Sequence, residues 1–188
     1  MRIRRLTPSD YRKMPWRNGA GTTTEIVAEP VGAERFLYRV SIADVERDGP
    51  FSRFAEYDRH IMLLEGQGMS LDCGEHGVVD LSAPLTPRKF SGDWDVRGTL
   101  NAGPVRDFNL MVDRARASAM LNVHAMGENE SLTLPSNRVN VIYVLAGALV
   151  GADAGDTLIA YIDDGDGGNI ELVACAASRV AVASITLR

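Results

Sequence analysis

Apolar and polar residues alternate along this chain in short runs. Residues 36–42 (Phe-Leu-Tyr-Arg-Val-Ser-Ile) and 105–112 (Val-Arg-Asp-Phe-Asn-Leu-Met-Val) do so at period two, as strands whose successive side chains face opposite ways. Similar apolar or β-branched runs, bounded by Gly, Asp, Asn or Pro, cover 22–28, 61–64, 69–72, 78–81, 95–100, 119–125, 139–145, 149–152, 157–162, 170–174 and 179–187. Long helical periodicity is scarce. The best helical signal is Thr7 as N-cap, Pro8 at the first helical position and Asp10 in the first turn, a helix that Pro15 stops beyond Lys13. The Ala-rich stretch 115–121 is where strand and helix compete. The predicted fold is all-β, a sandwich or barrel, with a short N-terminal helix.

The pattern also repeats. Ile61-Met62-Leu63-Leu64-Glu65-Gly66 aligns without gaps to Ile142-Tyr143-Val144-Leu145-Ala146-Gly147, each an apolar strand ending in a glycine turn before another apolar strand. Two such units predict a duplicated barrel. The division expected is 1–116 and 117–188, with strands free to exchange between the two.

Composition narrows the classes. The chain has 188 residues, 45% hydrophobic and 24% charged, enough to bury a core and unlike a disordered chain. The longest uncharged apolar run, 141–151, falls well short of the roughly 20 residues of a membrane helix. The basic start, Met1-Arg2-Ile3-Arg4-Arg5, leads into no apolar stretch or cleavage site, so a cytoplasmic protein without a membrane partner is expected. Cys73 and Cys175 are isolated and read as free thiols. Residues 1–116 carry 17 basic and 17 acidic side chains, whereas 117–188 carry 3 and 8. The basic set is almost wholly arginine, the side chain suited to two-pronged binding of carboxylates. A pI near 5.2 without a basic stripe excludes a nucleic-acid partner. An arginine-rich, neutral first part fits a small anion, although a coding bias towards arginine gives the same count.

Candidate chemistry is spread over several segments. In Trp16-Arg17-Asn18-Gly19-Ala20-Gly21 the glycines would let backbone N–H groups approach a ligand, or simply turn the chain, with Trp16 as a wall or plug. Arg39 and Ser41 share one strand face, which is either solvated or an interior anion site. Asp107, Asn109 and Met111 lie opposite the packing face of Phe108, Leu110 and Val112. Arg59 leads straight into an apolar strand. The three histidines, His60, His76 and His124, have no metal-ligand spacing, and no nucleophile elbow or nucleotide fingerprint is present. No metal and no cofactor is expected.

These segments resemble the HutD/Ves family, a branch of the cupin superfamily. The resemblance rests on PWRNGAGTTTE (15–25), YRVSIADV (38–45), DGPFSRF (48–54), YDRHIMLLEG (57–66), FSGD (90–93) and RDFNLMVDR (106–114). Ala20 stands where the family's loop is expected to carry a third glycine. The resemblance implies two fused cupin-like barrels, one with a pocket lacking the usual metal-binding histidines. It also implies a link to histidine utilisation, whose intermediates urocanate, formiminoglutamate and formylglutamate are small carboxylates; the Ves branch is associated with stress and cold. On that basis Arg39, Arg59 and Arg114 would hold carboxylates, Ser41 and Asn109 would orient the ligand, and Trp16, Asn18 and Gly19 would form the rim. The expected role is a sensor or regulator. The alternatives are a metal-free acid–base enzyme using Glu25 or Asp107, and a protein-interaction module. By fold analogy a homodimer is expected.

Overall fold

A computed structural model of the chain describes residues 2–32, 35–135, 138–161 and 169–188. It is built from strands. β1 (Arg2–Leu6) is followed by β2 (Arg12–Pro15), β3 (Gly21–Pro30), β4 (Phe36–Val45), β5 (Gly49–Pro50) and β6 (Tyr57–Glu65). Next come β7 (Met69–Asp72), β8 (Val78–Asp80), β9 (Arg88–Ser91), β10 (Arg97–Leu100) and β11 (Val105–Asp113). The C-terminal strands are β12 (Ala117–Met126), β13 (Ser131–Leu134), β14 (Val139–Ala146), β15 (Ala148–Leu149), β16 (Ala152–Asp153), β17 (Thr157–Tyr161), β18 (Ile170–Val173) and β19 (Ser178–Leu187). The strand expected over 157–162 ends at Ile162, which lies outside the described residues.

The expected N-terminal helix is a single 3-10 turn, Pro8–Asp10, and no α-helix forms among the described residues. The Asp10 carboxylate accepts the Thr7 backbone N–H at 2.8 Å and the Thr7 hydroxyl at 2.9 Å, which closes the turn. Tyr11 then returns to extended backbone. Arg12 pairs with Glu25 on β3, so the sheet takes the residues a longer helix would have needed.

The chain divides into two compact units. One is contiguous, Arg12–Ala117; the other combines the residues up to Tyr11 with Ser118–Arg188. The contiguous unit contains a six-stranded sheet of order β2-β3-β4-β11-β6-β9 and a four-stranded sheet of order β5-β10-β7-β8. Its core includes Ile61 and Leu63 of β6, Met69 and Leu71 of β7, and Leu81, Phe90 and Val105, with Trp16, Phe51 and Trp94 packed against them. The other unit contains a five-stranded sheet of order β1-β17-β14-β19-β12 and two-stranded pairs β13-β18 and β15-β16. Its hydrophobic core runs from Ile142 and Val144 through Leu158 and Ile170 to Val180 and Val182.

The two copies of the repeat are strands β6 and β14, one in each unit. Their terminal glycines do the same job. Gly66 (φ 104°) and Gly147 (φ 78°) adopt left-handed backbone, and a β-carbon would fall onto the Pro104 carbonyl at Gly66 or the Ala177 carbonyl at Gly147. Only glycine fits both conditions.

Candidate functional site

Strand register in the six-stranded sheet stacks three rungs on one face. Arg39 of β4, Met111 of β11, Arg59 of β6 and Phe90 of β9 form the first. Glu25 of β3, Ser41, Asn109 and Ile61 form the second, and Thr23, Ala43, Asp107 and Leu63 the third. Ile61, Leu63 and Phe90 belong to the unit's core, which fixes this face as the inner one. Arg39, Ser41, Asp107 and Asn109 therefore face inward. They line a cavity of about 500 Å³ together with Trp16, Arg17, Asn18, Phe51, Phe54, Arg59 and Met111, among others.

Arg59 is the most constrained of these. The residue is 5% exposed, and its guanidinium carbon lies 4.6 Å from the centre of the Phe90 ring, 5.5 Å from Phe54 and 5.8 Å from Phe51. Nη1 donates to the Ser52 carbonyl at 3.0 Å, while Nε has no hydrogen-bond partner. No carboxylate forms an ion pair with it among the described residues. Burial pulls its pKa down to about 10, with nearby Arg39 adding to the fall and Asp107 opposing it. It stays charged at neutral pH. A buried cation with an unpartnered N–H is unfavourable unless something completes it, and the ring faces supply only part of that compensation.

Asp107 stands two rungs away, fully buried at 0% exposure. Its Oδ1 accepts a short hydrogen bond from Asn109 Nδ2, and its Oδ2 has no partner. Burial raises its pKa to about 7; Asp44 adds to the rise, and the Asn109 hydrogen bond and the charge of Arg59 oppose it. Desolvation of the charged form dominates, as expected for a carboxyl without a direct cationic partner.

The remaining predicted residues divide sharply. Arg39 faces the cavity, but its Nε is ion-paired with Glu25 at 2.8 Å. Glu25 is outside the cavity lining and also meets Arg12 at 3.9 Å, so it is a partner of Arg39 and not a free base. Trp16 lines the wall and donates its indole N–H to Thr23 Oγ1 at 2.8 Å. Three of the loop's backbone N–H groups are spent within the loop itself. Gly19 donates to the Trp16 carbonyl at 3.0 Å, Trp16 to the Gly21 carbonyl at 2.9 Å, and Ala20 to the Asn18 side chain at 3.0 Å. Gly19 is not on the lining; Gly21 packs its α-carbon against the Asp44 carbonyl.

Arg114 lies elsewhere. Its guanidinium donates to Asp58 at 2.6 Å, Asp93 at 2.7 Å, Ser91 Oγ at 2.8 Å and the Tyr57 carbonyl at 3.1 Å. That network ties β6, β9 and β11 and leaves no donor set for a ligand. Sequence reasoning missed Arg17 on the lining, and the Phe54 and Phe90 faces around Arg59; Met111 lines the cavity beside Asn109, on the face where period two had put it. The signal for the rings was in the sequence, since Phe51-Ser-Arg-Phe54 directly precedes the Arg59 strand. Among the described residues no three His, Cys, Asp or Glu side chains converge as a metal site.

Comparison with known proteins places the chain beside a family model, two relatives and two solved structures. The HutD family model matches residues 8–168. An uncharacterised 21.2 kDa protein from the hutC 3' region of Pseudomonas putida is 43% identical over 122 residues; the match spans 62% of this chain but only 61% of that relative's length. Protein Ves of Citrobacter koseri is 37% identical over 143 residues, 74% of this chain and 72% of its own. Among solved structures, HutD from Pseudomonas fluorescens SBW25 (formate condition) superposes with a TM-score of 0.84 at 31% identity, over 100% of both chains. YhhW from Escherichia coli, at 10% identity and TM-score 0.64 over 97% of both chains, shares the cupin-like fold alone.

Proposed function

The chain belongs to the HutD family, and from that premise we propose that it binds a small carboxylate metabolite in the cavity of the 12–117 unit. In this reading the chain is two fused cupin-like barrels, one of them holding the ligand, and acts as a sensor or regulator tied to histidine utilisation. The observation that carries the reading is Arg59: a buried, charged guanidinium on the cavity wall whose Nε lacks a partner and which is ion-paired to no carboxylate among the described residues. A ligand carboxylate is the group that completes it. Arg39 on the same rung and Ser41 and Asn109 on the next supply further polar contacts, and Trp16 and Asn18 form the rim.

A thermal-shift titration with formate, glutamate, formylglutamate, formiminoglutamate and urocanate tests this. At a hundred times its dissociation constant a ligand stabilises by about 2.7 kcal/mol. For a chain of this size that is a rise of roughly 5–10 °C. The expected result is a saturable rise with one of the five acids that disappears in Arg59→Met, a change that keeps an apolar stem among the rings. No rise with any of them overturns the reading.

A further inference from the structure

Asp107 closes the same cavity from the opposite side of the Asn109 rung, and the carboxylate-binding reading above leaves it unexplained. The surrounding charges are few. From β4 come Arg39, tied to Glu25 of β3, and Asp44, whose charge repels; from β6 comes Arg59; from the loop before β3 comes Arg17 on the lining. The uncharged neighbours are Ala43 and Leu63 directly across and Ser41 and Thr23 beside them. Oδ1 is occupied by the Asn109 amide. Oδ2 is buried and unpartnered. An ionised Asp107 would set a second negative charge beside any carboxylate drawn in by Arg59, with both charges in a poorly hydrated space.

We propose that the site takes up its carboxylate ligand together with one proton, which Asp107 carries on Oδ2 and donates to a ligand oxygen. This rests on the carboxylate reading and specifies it. The balance is simple: one anion and one solvent proton enter, and no covalent bond to the ligand changes. Arg59 then supplies the charge, and Asp107 supplies a neutral donor in the position where an ionised carboxylate would repel. The arrangement selects a ligand group with an accepting oxygen at that point, and disfavours donor-only groups such as an ammonium. The raised proton affinity of Asp107, near the neutral range, makes the proton available under ordinary conditions.

Calorimetric titration of the whole chain with formylglutamate and with formate, from pH 5.5 to 8.5, tests it. Above the titration of Asp107 the dissociation constant should weaken by up to tenfold per pH unit. At pH 8 the binding enthalpy in Tris and in HEPES should differ by the amount that marks uptake of nearly one proton. In Asp107→Asn, whose amide donates without titrating, both effects should vanish while binding at pH 8 is kept or strengthened. The wild-type buffer comparison needs no variant, so a poorly folding substitution does not decide the matter. A pH-independent dissociation constant, or proton release on binding, overturns the proton-coupled site and leaves the carboxylate reading standing. Absence of binding by both acids at every pH overturns the proton-coupled site, and the carboxylate reading falls with it when glutamate, formiminoglutamate and urocanate fail as well.

Discussion

Strands β6 and β14 are the two copies of one sequence pattern, and they differ most at the position before their shared apolar core. Both send two residues into a core on one face, Ile61 and Leu63 in the first, Ile142 and Val144 in the second. Both end in a glycine held in left-handed backbone against a carbonyl. On the same face, two residues before Ile61 and Ile142, stand Arg59 and Asn140. Asn140 is fully satisfied: its Nδ2 donates to the Pro135 carbonyl at 2.9 Å and its Oδ1 accepts from Ser184 Oγ at 2.6 Å. Arg59 has one backbone acceptor, three ring faces and an orphan N–H. One unit closes its polar position with its own chain, while the other leaves it open onto a cavity. Repeated apolar positions thus conserve an architecture, and a single unmatched polar group at an equivalent place distinguishes a filled interior from a binding one.

Three substitutions test this contrast. The largest effect is expected where the copies agree: Gly66→Ala and Gly147→Ala should each destabilise by roughly 2–4 kcal/mol, because strained backbone and a collision with a carbonyl combine. Chemical denaturation of both variants checks it; if either substitution is silent, the equivalence of the turns fails. Next, Asn140→Ala should lower stability by roughly 1–3 kcal/mol by stranding Ser184 and the Pro135 carbonyl. It should leave the ligand-induced thermal shift intact, so loss of that shift would collapse the distinction between the units.

The smallest effect concerns Asp107. Its pKa in the folded chain is about 7 against 3.8 for an unperturbed aspartate, so the unfolded chain loses the proton first. The contribution of Asp107 to stability is therefore greatest below about pH 4, falls as pH rises through the window up to about 7, and is level above it. Asp107→Asn should recover only part of that loss, because an amide must still be buried there. A gain of roughly 1–2 kcal/mol at pH 8 that shrinks towards pH 4 is expected from melting curves across that range. A constant difference at every pH would mean that Asp107 is ionised in the folded chain.

Period-two alternation made the strands and their two faces legible. It grouped Asp107 with Asn109 and Met111, and Arg39 with Ser41, as the structure has them. It did not identify the inner face, because β11 is buried on both: Phe108, Leu110 and Val112 are as inaccessible as Asp107. Apolarity on one side therefore carried no information about the other. Nor did it separate Arg59 from Arg114. The two differ only in neighbours supplied from elsewhere in the chain, carboxylates Asp58 and Asp93 for Arg114 and aromatic rings for Arg59. β1 escaped notice because its sequence, Arg-Ile-Arg-Arg-Leu, has little to bury; backbone pairing with β17 makes it a strand. The Thr7-Pro8-Asp10 signal described a real turn, and its extension failed because Arg12–Pro15 pairs with β3.

That placement of β1 bears on the order in which the chain is made. The strand precedes the whole 12–117 unit, yet its partner, Thr157–Tyr161, is synthesised after that unit. The cavity-bearing unit has every strand it needs before β17 exists. The β1 segment must wait, unpaired, for the longest closure of any strand pair among the described residues. Its three arginines, poor material for edge-to-edge pairing with another chain, are well suited to that interval.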